Sequence, residues 1–229
     1  MGTMTKDWDQ HVVAAEDVAR GEAFQALERR IVELAAPAAD DVVLDVGAGT
    51  GLLTLALAPH VRSVWALDIS PAMIEYLRVK VTSSGFENVE GFVGSAVSVP
   101  LVDASVDLVV SNYCLHHLDD DGKRRALAEM HRVLKPGGKV VIGDMMFGLA
   151  VSSPRDRAVV SAKVRAMLRK GAPGVARLIK NGVRLASRRW EKPATARWWQ
   201  VEMPKLGFVD VQVQTLEHEG GLVWGVKPG

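Results

Sequence analysis

Val43-Leu44-Asp45-Val46-Gly47-Ala48-Gly49-Thr50-Gly51 is the stretch that decides the fold. Before Asp41 the apolar residues Phe24, Leu27, Ile31, Val32 and Ala35 recur at three- and four-residue spacing, the period of a helix. Asp41–Val46 then reads as a short strand, apolar beyond its first residue except for Asp45. A strand covered on both faces needs such a run. Glycines at alternate positions follow, and they let the backbone turn sharply and approach a ligand without a Cβ in the way.

Downstream the same alternation repeats. Thr50–Pro59 reads as a helix, Ser63–Leu67 as a second strand, and Pro71 is placed to open the next helix at its first turn. Asn88–Val93 and Val106–Ser111 read as strands three and four. Lys123–Leu134 is a helix that stops at Lys135-Pro136-Gly137-Gly138, and Lys139–Gly143 is a fifth strand. Strands alternating with helices at this spacing imply right-handed βαβ units and a mostly parallel sheet. After residue 150 the alternation lapses for roughly 50 residues, longer than an ordinary connection. It resumes with a helix around Ala194–Leu206 and two strands, Phe208–Leu216 and Gly221–Val226. The short connection His218-Glu219-Gly220 permits only an antiparallel hairpin there.

The expected fold is therefore α/β: a Rossmann-like, doubly wound, seven-stranded and mostly parallel sheet with Gly221–Val226 antiparallel, plus a helical cap insertion. The chain divides into N-terminal helices over the site (1–40), a ligand-binding α/β core (41–149), a basic helical insertion or lid (150–195), and a helix with a hairpin completing the core (196–229).

Composition narrows the class. The 229 residues, 48% hydrophobic and 24% charged, are those of an ordinary globular protein, long enough to bury a core without disulfides or metals. Cys114 is the single cysteine, so no internal disulfide forms, and no Cys/His cluster has zinc-ligand spacing. No metal is expected. Cysteine usage fits a reducing cytoplasm, and no apolar run approaches the ~18–20 residues of a membrane span. The formal charge of +1 conceals an asymmetry: Val151–Gln200 holds 13 Lys/Arg against 2 Asp/Glu, while the rest of the chain is net acidic. Such a segment suggests an anionic counterpart.

Asp45 gives the first chemical clue. An acid inside the strand end, beside the glycine turn, would repel a pyrophosphate, and is better explained by a ligand with a cationic amine. Asp68 closes strand two, where it can accept hydrogen bonds from both hydroxyls of a ribose.

With those residues in view, the sequence resembles the class I S-adenosylmethionine (SAM)-dependent methyltransferases, in the small-molecule subgroup similar to ubiquinone/menaquinone-type enzymes. The matching stretches are VLDVGAGTG (Val43–Gly51), ALDISPAMIEYL (Ala66–Leu77), DASVDLVVSNYCLHHL (Asp103–Leu118), HRVLKPGGKVVIGD (His131–Asp144) and LGFVDVQV (Leu206–Val213). The resemblance implies SAM as cofactor. It places Asp45, Gly47, Ala48, Gly49 and Gly51 around the methionine moiety, with Asp45 acting on the ammonium through the loop or a water. It puts the ribose on Asp68, sandwiches the adenine between Ile69 and Met73, and sets Asn112 against the methionine moiety and the substrate. Ser95, before Ala96, stands where relatives usually carry an Asp that accepts from the adenine amine, so that contact is weakened or water-bridged. His116 is the candidate general base, although relatives carry the His116-His117 pair whatever atom they methylate, which favours loop fixing. Tyr113, Asp144 and His11 are weaker candidates, and Cys114 reads as a small buried hydrophobe.

The implied function is methyl transfer to a small-molecule or lipid head-group acceptor. One competing reading is a SAM-binding regulatory protein without turnover. The other, an NAD-dependent oxidoreductase, would need a glycine where Leu52 stands and has no use for Asp45. In the insertion, Val175, Leu178, Ile179 and Val183 form an apolar stripe flanked by Arg177, Lys180, Arg184, Arg188 and Arg189. A lid over the acceptor, with peripheral contact to an anionic membrane as a second role, accounts for that pattern, and Trp190, Trp198 and Trp199 suit either. No RNA-binding module accompanies the positive charge, which argues against nucleic acid.

Overall fold

The computed structural model describes residues 8–148, 153–169, 171, 173, 192–217 and 219–229. Helices α1 (Val12–Ala19) and α2 (Glu22–Ala35) lead into β1 (Val42–Val46), α3 (Leu52–Leu57), β2 (Ser63–Asp68), α4 (Pro71–Ser84) and β3 (Val89–Val93). Next come β4 (Val106–Asn112), α5 (Asp120–Val133), β5 (Leu134–Met145) and α6 (Pro154–Leu168). Helix α7 (Ala196–Lys205) and strands β6 (Val209–Thr215) and β7 (Gly220–Val226) complete the chain.

The seven strands form one sheet in the order β3-β2-β1-β4-β5-β7-β6. All neighbours are parallel except β7, which runs antiparallel to both β5 and β6. The expected mostly parallel sheet with one reversed strand is therefore the observed one. From β1 the chain winds outward through β2 and β3, then crosses back to β4 and β5. The winding direction reverses between β1 and β4, and a crevice opens beyond the carboxyl ends of strands at such a point.

Side-chain alternation along the central strands divides the core in two. Leu44, Val46, Val109, Val140, Ile142 and Val223 face α5 and α7, packing with Leu127, Met130, Trp199 and Met203. Val43, Val64, Leu108, Val110, Val141 and Leu222 face α2 and α3, packing with Leu27, Ile31, Leu53 and Leu57. Both faces are covered, which is why these strands read as continuous apolar runs.

Local signals fix several helix ends. Ser70 caps α4 by accepting from the Met73 amide, Pro71 occupies its first turn, and Gly85 ends it in the left-handed region. Asp119 caps α5 by accepting from the Gly122 amide at 2.8 Å. Two boundaries differ from the sequence reading. Helix α3 is confined to Leu52–Leu57 because its continuation, Ala58–His60, tightens into a 3-10 turn at Pro59. Strand β5 begins at Leu134, ahead of the glycines. Leu134 pairs with Val106, the register shifts, and pairing resumes at Lys139 opposite Leu108.

Within the basic insertion, Pro154–Leu168 is helical as expected, whereas Val175 to Trp190, with the proposed arginine stripe, lie outside the described residues. Where α6 starts, Arg155 donates to the carbonyls of Met146, Leu216 and Gly220, and Asp156 accepts from the Gly148 amide. One guanidinium thus binds the end of β5 to the β6–β7 hairpin and to the insertion. Among the described residues, no helix is long and apolar enough to cross a membrane. Replacing Arg155 with Met should lower stability by about 1–3 kcal/mol, since part-buried carbonyls lose a charged donor. Urea unfolding of the two proteins measures the difference, and an unchanged midpoint would mean the guanidinium is a surface decoration.

Candidate active site

The glycine turn after β1 is held by neighbours on three sides. The Gly47 and Ala48 amides both donate to the Leu67 carbonyl, at 2.8 and 3.0 Å, and the Gly49 amide donates to Asp68 Oδ2 at 2.8 Å. Gly47 and Gly51 have φ of +75° and +90°, left-handed values that strain any side chain. Space forbids one as well. A Cβ on Gly47 would lie 2.3 Å from Cys114 Sγ, and one on Gly51 would lie 2.3 Å from a Leu77 methyl. The turn is thereby packed against the end of β4 and against α4.

Asp68, at the end of β2, is the hinge of this arrangement. Its Oδ2 accepts from Gly49, and its Oδ1 accepts from the Ser70 amide at 2.9 Å. Asp45, one strand over, is buried and receives the Thr54 hydroxyl at 2.6 Å. Burial raises the Asp45 pKa to about 7; the Thr54 hydrogen bond opposes the shift and the nearby Asp68 charge adds to it. Burial also raises Asp68, against the backbone donors that lower it, with a contribution from the Asp9 carboxylate. Among the described residues, no basic side chain is among the groups that shift either acid. Cys114 lies beside them, its thiol pushed far up by burial and then by Asp68, Asp144 and Asp45. The crevice is electronegative.

Strand β4 supplies the opposite wall. The Ser111 hydroxyl donates to the Val46 carbonyl at 2.8 Å, locking β4 to β1 at the point where the winding reverses. Asn112 Oδ1 is buried, with no hydrogen-bond partner among the described residues. Tyr113 then adopts a φ of +50°, uncommon for a residue with a ring, and its amide donates to the Gly143 carbonyl. Burial, with the Asp144 charge, pushes its phenol up to about 12. Beyond it the 3-10 turn Leu115–His117 brings His116 onto Asp144 of β5. The ring Nδ1 lies 2.6 Å from Oδ1, and the His116 amide donates to Oδ2 at 2.9 Å.

Not every expected residue enters the crevice alike. Ile69 is 48% exposed and open to a ligand, whereas Met73, on the buried side of α4, is only 3% exposed. Ser95 turns its hydroxyl toward the Val97 amide, in a small bridge with Ser98, and Ala96 packs against the core. The pairing of His116 with Asp144 joins two residues that sequence reading had considered singly. Nothing in the sequence pointed to Thr54 as partner of Asp45, nor to the particular contacts of the N-terminal segment. Asp9 accepts from the Ser70 hydroxyl and the Ala72 amide, Glu16 pairs with Lys80 at 3.1 Å, and Trp8 lies against His117 with ring centres 4.5 Å apart. These contacts lay residues 8–20 over the loops after β2 and β4. Among the described residues, no group of His, Cys, Asp and Glu is arranged to hold a metal ion.

The raised Asp45 pKa has a consequence for stability. The folded protein holds that proton more tightly than the unfolded chain, so the contribution is complete below the ordinary value of 3.8 and is lost as pH rises through about 7. An Asp45→Asn protein cannot ionise there, and without ligand it should be the more stable at pH 8, by up to about 4 kcal/mol. That advantage should shrink steadily as pH falls toward 4. A difference independent of pH in chemical denaturation would contradict the assignment.

Comparison with known proteins agrees with this geometry. Residues 43–138 match the family described as a methyltransferase domain. An uncharacterized methyltransferase of Bacillus subtilis, YcgJ, is 37% identical over 106 residues, 46% of this chain and 41% of its own length. A methyltransferase-like protein of Schizosaccharomyces pombe is 41% identical over 100 residues, 43% of this chain and 36% of its own. The matched region thus spans less than half the length of these curated relatives. A SAM-dependent methyltransferase from Aquifex aeolicus superposes with a TM-score of 0.66 at 19% identity, over 96% of this chain and 98% of that one. Turn, crevice and sequence match coincide in the same segment: residues 43–138 match the methyltransferase-domain family, and the chain shares its fold with the SAM-dependent methyltransferase from Aquifex aeolicus.

Proposed function

We propose that this protein is an enzyme that transfers a methyl group from SAM to a small-molecule or lipid head-group acceptor by in-line displacement. The observation that carries this reading is the electronegative crevice at the carboxyl ends of β1, β2 and β4. Among the described residues, no basic side chain acts on Asp45 or Asp68 there, and the buried Asn112 Oδ1 acceptor has no donor. A ligand with two positive centres and several hydroxyl donors supplies what the crevice lacks. A dinucleotide pyrophosphate would add negative charge to it.

SAM, when bound, supplies a methyl group already made electrophilic by its sulfonium. The protein's share is binding, alignment and exclusion of water, and orientation alone can contribute roughly 7–11 kcal/mol. Asp68 would accept from the ribose hydroxyls while it keeps the Gly49 loop in place. Asn112 Oδ1 would accept from the ammonium, and Asp45 would balance its charge from beneath the turn, with Gly47, Ala48, Gly49 and Gly51 allowing close approach. Ile69 offers an open apolar surface to the adenine, with Met73 as support beneath it. Ser95 and Ala96 border the same end.

The acceptor side is read from both ends of the insertion. The segment leaves after β5 under the hold of Arg155, and on its return the Lys192 amide donates to the His116 carbonyl at 2.7 Å. The described residues at its two ends, Arg155 and Lys192, thus meet the end of β5 and the His116 turn, which supports a cap that selects the substrate. Its basic excess suits an anionic acceptor or an anionic membrane surface.

Calorimetry tests the cofactor directly. SAM and S-adenosylhomocysteine should bind and NAD should not. Asp68→Ala removes charge-assisted hydrogen bonds of about 1.5–3 kcal/mol each, so SAM affinity should fall at least roughly tenfold. Binding of NAD in place of SAM, or an unchanged affinity in the variant, would defeat the reading. Release of S-adenosylhomocysteine in an acceptor screen separates an enzyme from a protein that only binds SAM.

A further inference from the structure

We propose that Asp9, on the strap formed by residues 8–20, distinguishes the charged donor from its spent product: the strap closes over SAM and loosens over S-adenosylhomocysteine. The inference rests on the methyl-transfer reading above and deepens it.

Polar contacts, with little apolar packing, hold the strap in place. Among the described residues of this segment Glu16 alone is buried, and its carboxylate ends on polar groups. Val13 of α1 is 74% exposed. Past a bend at Gly21 the situation reverses, because α2 buries Leu27 and Ile31 against the sheet. A segment with so little buried apolar surface opens at low cost, and its firmly packed neighbour gives it a fixed point to move from.

Two carboxylates latch the strap, and they differ in charge balance. Glu16 meets Lys80 of α4 at 3.1 Å, Arg20 at 3.4 Å and the Thr50 hydroxyl of the glycine turn, so cations neutralise it whatever the crevice holds. Asp9 accepts from the Ser70 hydroxyl and, at 3.2 Å, from the Ala72 amide. The amide of the same Ser70 donates to Asp68 Oδ1 at 2.9 Å. One buried serine therefore joins two carboxylates, and the closed strap brings a third acid to a crevice that already holds Asp45 and Asp68. Asp68, raised first by burial, is raised further by the Asp9 charge. Asp9 itself is exposed, so salt moderates the repulsion without removing it.

Closing the strap thus carries an electrostatic cost that a cation beneath it offsets. When the methyl group passes to the acceptor, sulfur keeps the electron pair of the broken carbon–sulfur bond. The ligand left behind has one positive charge fewer and otherwise nearly the same shape. Asp9 then faces Asp68 and Asp45 with less compensation, and the closed strap is disfavoured. A strap that closes more readily over SAM must, by linkage, also raise the affinity for SAM relative to the product. Release of the spent cofactor follows from its lost charge.

Hydrogen exchange of the full chain, read by mass spectrometry at low ionic strength, tests this. Three saturating ligands are compared: SAM, S-adenosylhomocysteine, and sinefungin, which bears a protonated amine in place of the methyl sulfonium. Strap amides should be protected with SAM and with sinefungin, and should exchange about fivefold faster or more with S-adenosylhomocysteine. Asp9→Asn keeps an oxygen for the Ser70 hydroxyl and the Ala72 amide but loses the charge, so its strap should exchange equally slowly with all three. Glu16→Gln breaks the Lys80 pair and should speed exchange with all three while keeping their order. In calorimetry, the preference for SAM over S-adenosylhomocysteine should fall about fivefold or more in Asp9→Asn. Equal protection by SAM and S-adenosylhomocysteine in the native protein, or a difference that survives Asp9→Asn, would overturn the inference. Both ligands would still bind, so the methyl-transfer reading would stand. If neither binds, that reading falls, and this inference with it.

Discussion

Asp68 holds the candidate site together. With one oxygen it accepts from Gly49 in the turn after β1, and with the other from Ser70 at the head of α4, so a single side chain fixes two loops that a ligand must meet. The hold has an electrostatic cost, because Asp68 and Asp45 are neighbouring acids in a poorly hydrated crevice. Burial raises both, and among the described residues the hydrogen bonds they accept come from neutral donors. Desolvated carboxylates without cations are an unfavourable arrangement that a positively charged ligand relieves. The same features that weaken the free protein therefore favour the cofactor.

Much of this was legible in the sequence, for physical reasons. Strands such as Val42–Val46 and Val106–Asn112 are buried on both faces, so their apolar runs are unmistakable, and their order fixes a parallel sheet. The glycines at 47, 49 and 51 are visible because positive φ and close packing admit little else. Asp45 and Asp68 stand out as acids at strand ends where an ordinary core would place apolar residues.

What stayed hidden depends on contacts distant in sequence. His116 and Asp144 are 28 residues apart, and only the parallel pairing of β4 with β5 brings them together. Asp9 and Glu16 meet α4 across more than 60 positions. Neither pairing leaves a local pattern. The short extent of α3 and the early start of β5 reflect the same limit, since a proline turn and a register shift move boundaries without changing which elements exist. Met73 and Ile69 belong to one motif, yet Met73 is buried while Ile69 is exposed, a difference that spacing alone does not display.

The central claim concerns where SAM sits and what it meets. A crystal structure of the full chain with S-adenosylhomocysteine tests it most directly. The account predicts the ribose hydroxyls on the Asp68 carboxylate, the ammonium within hydrogen-bond reach of Asn112 Oδ1, and the adenine beside Ile69. A ligand bound elsewhere on the sheet, with Asn112 Oδ1 still lacking a donor, would contradict it.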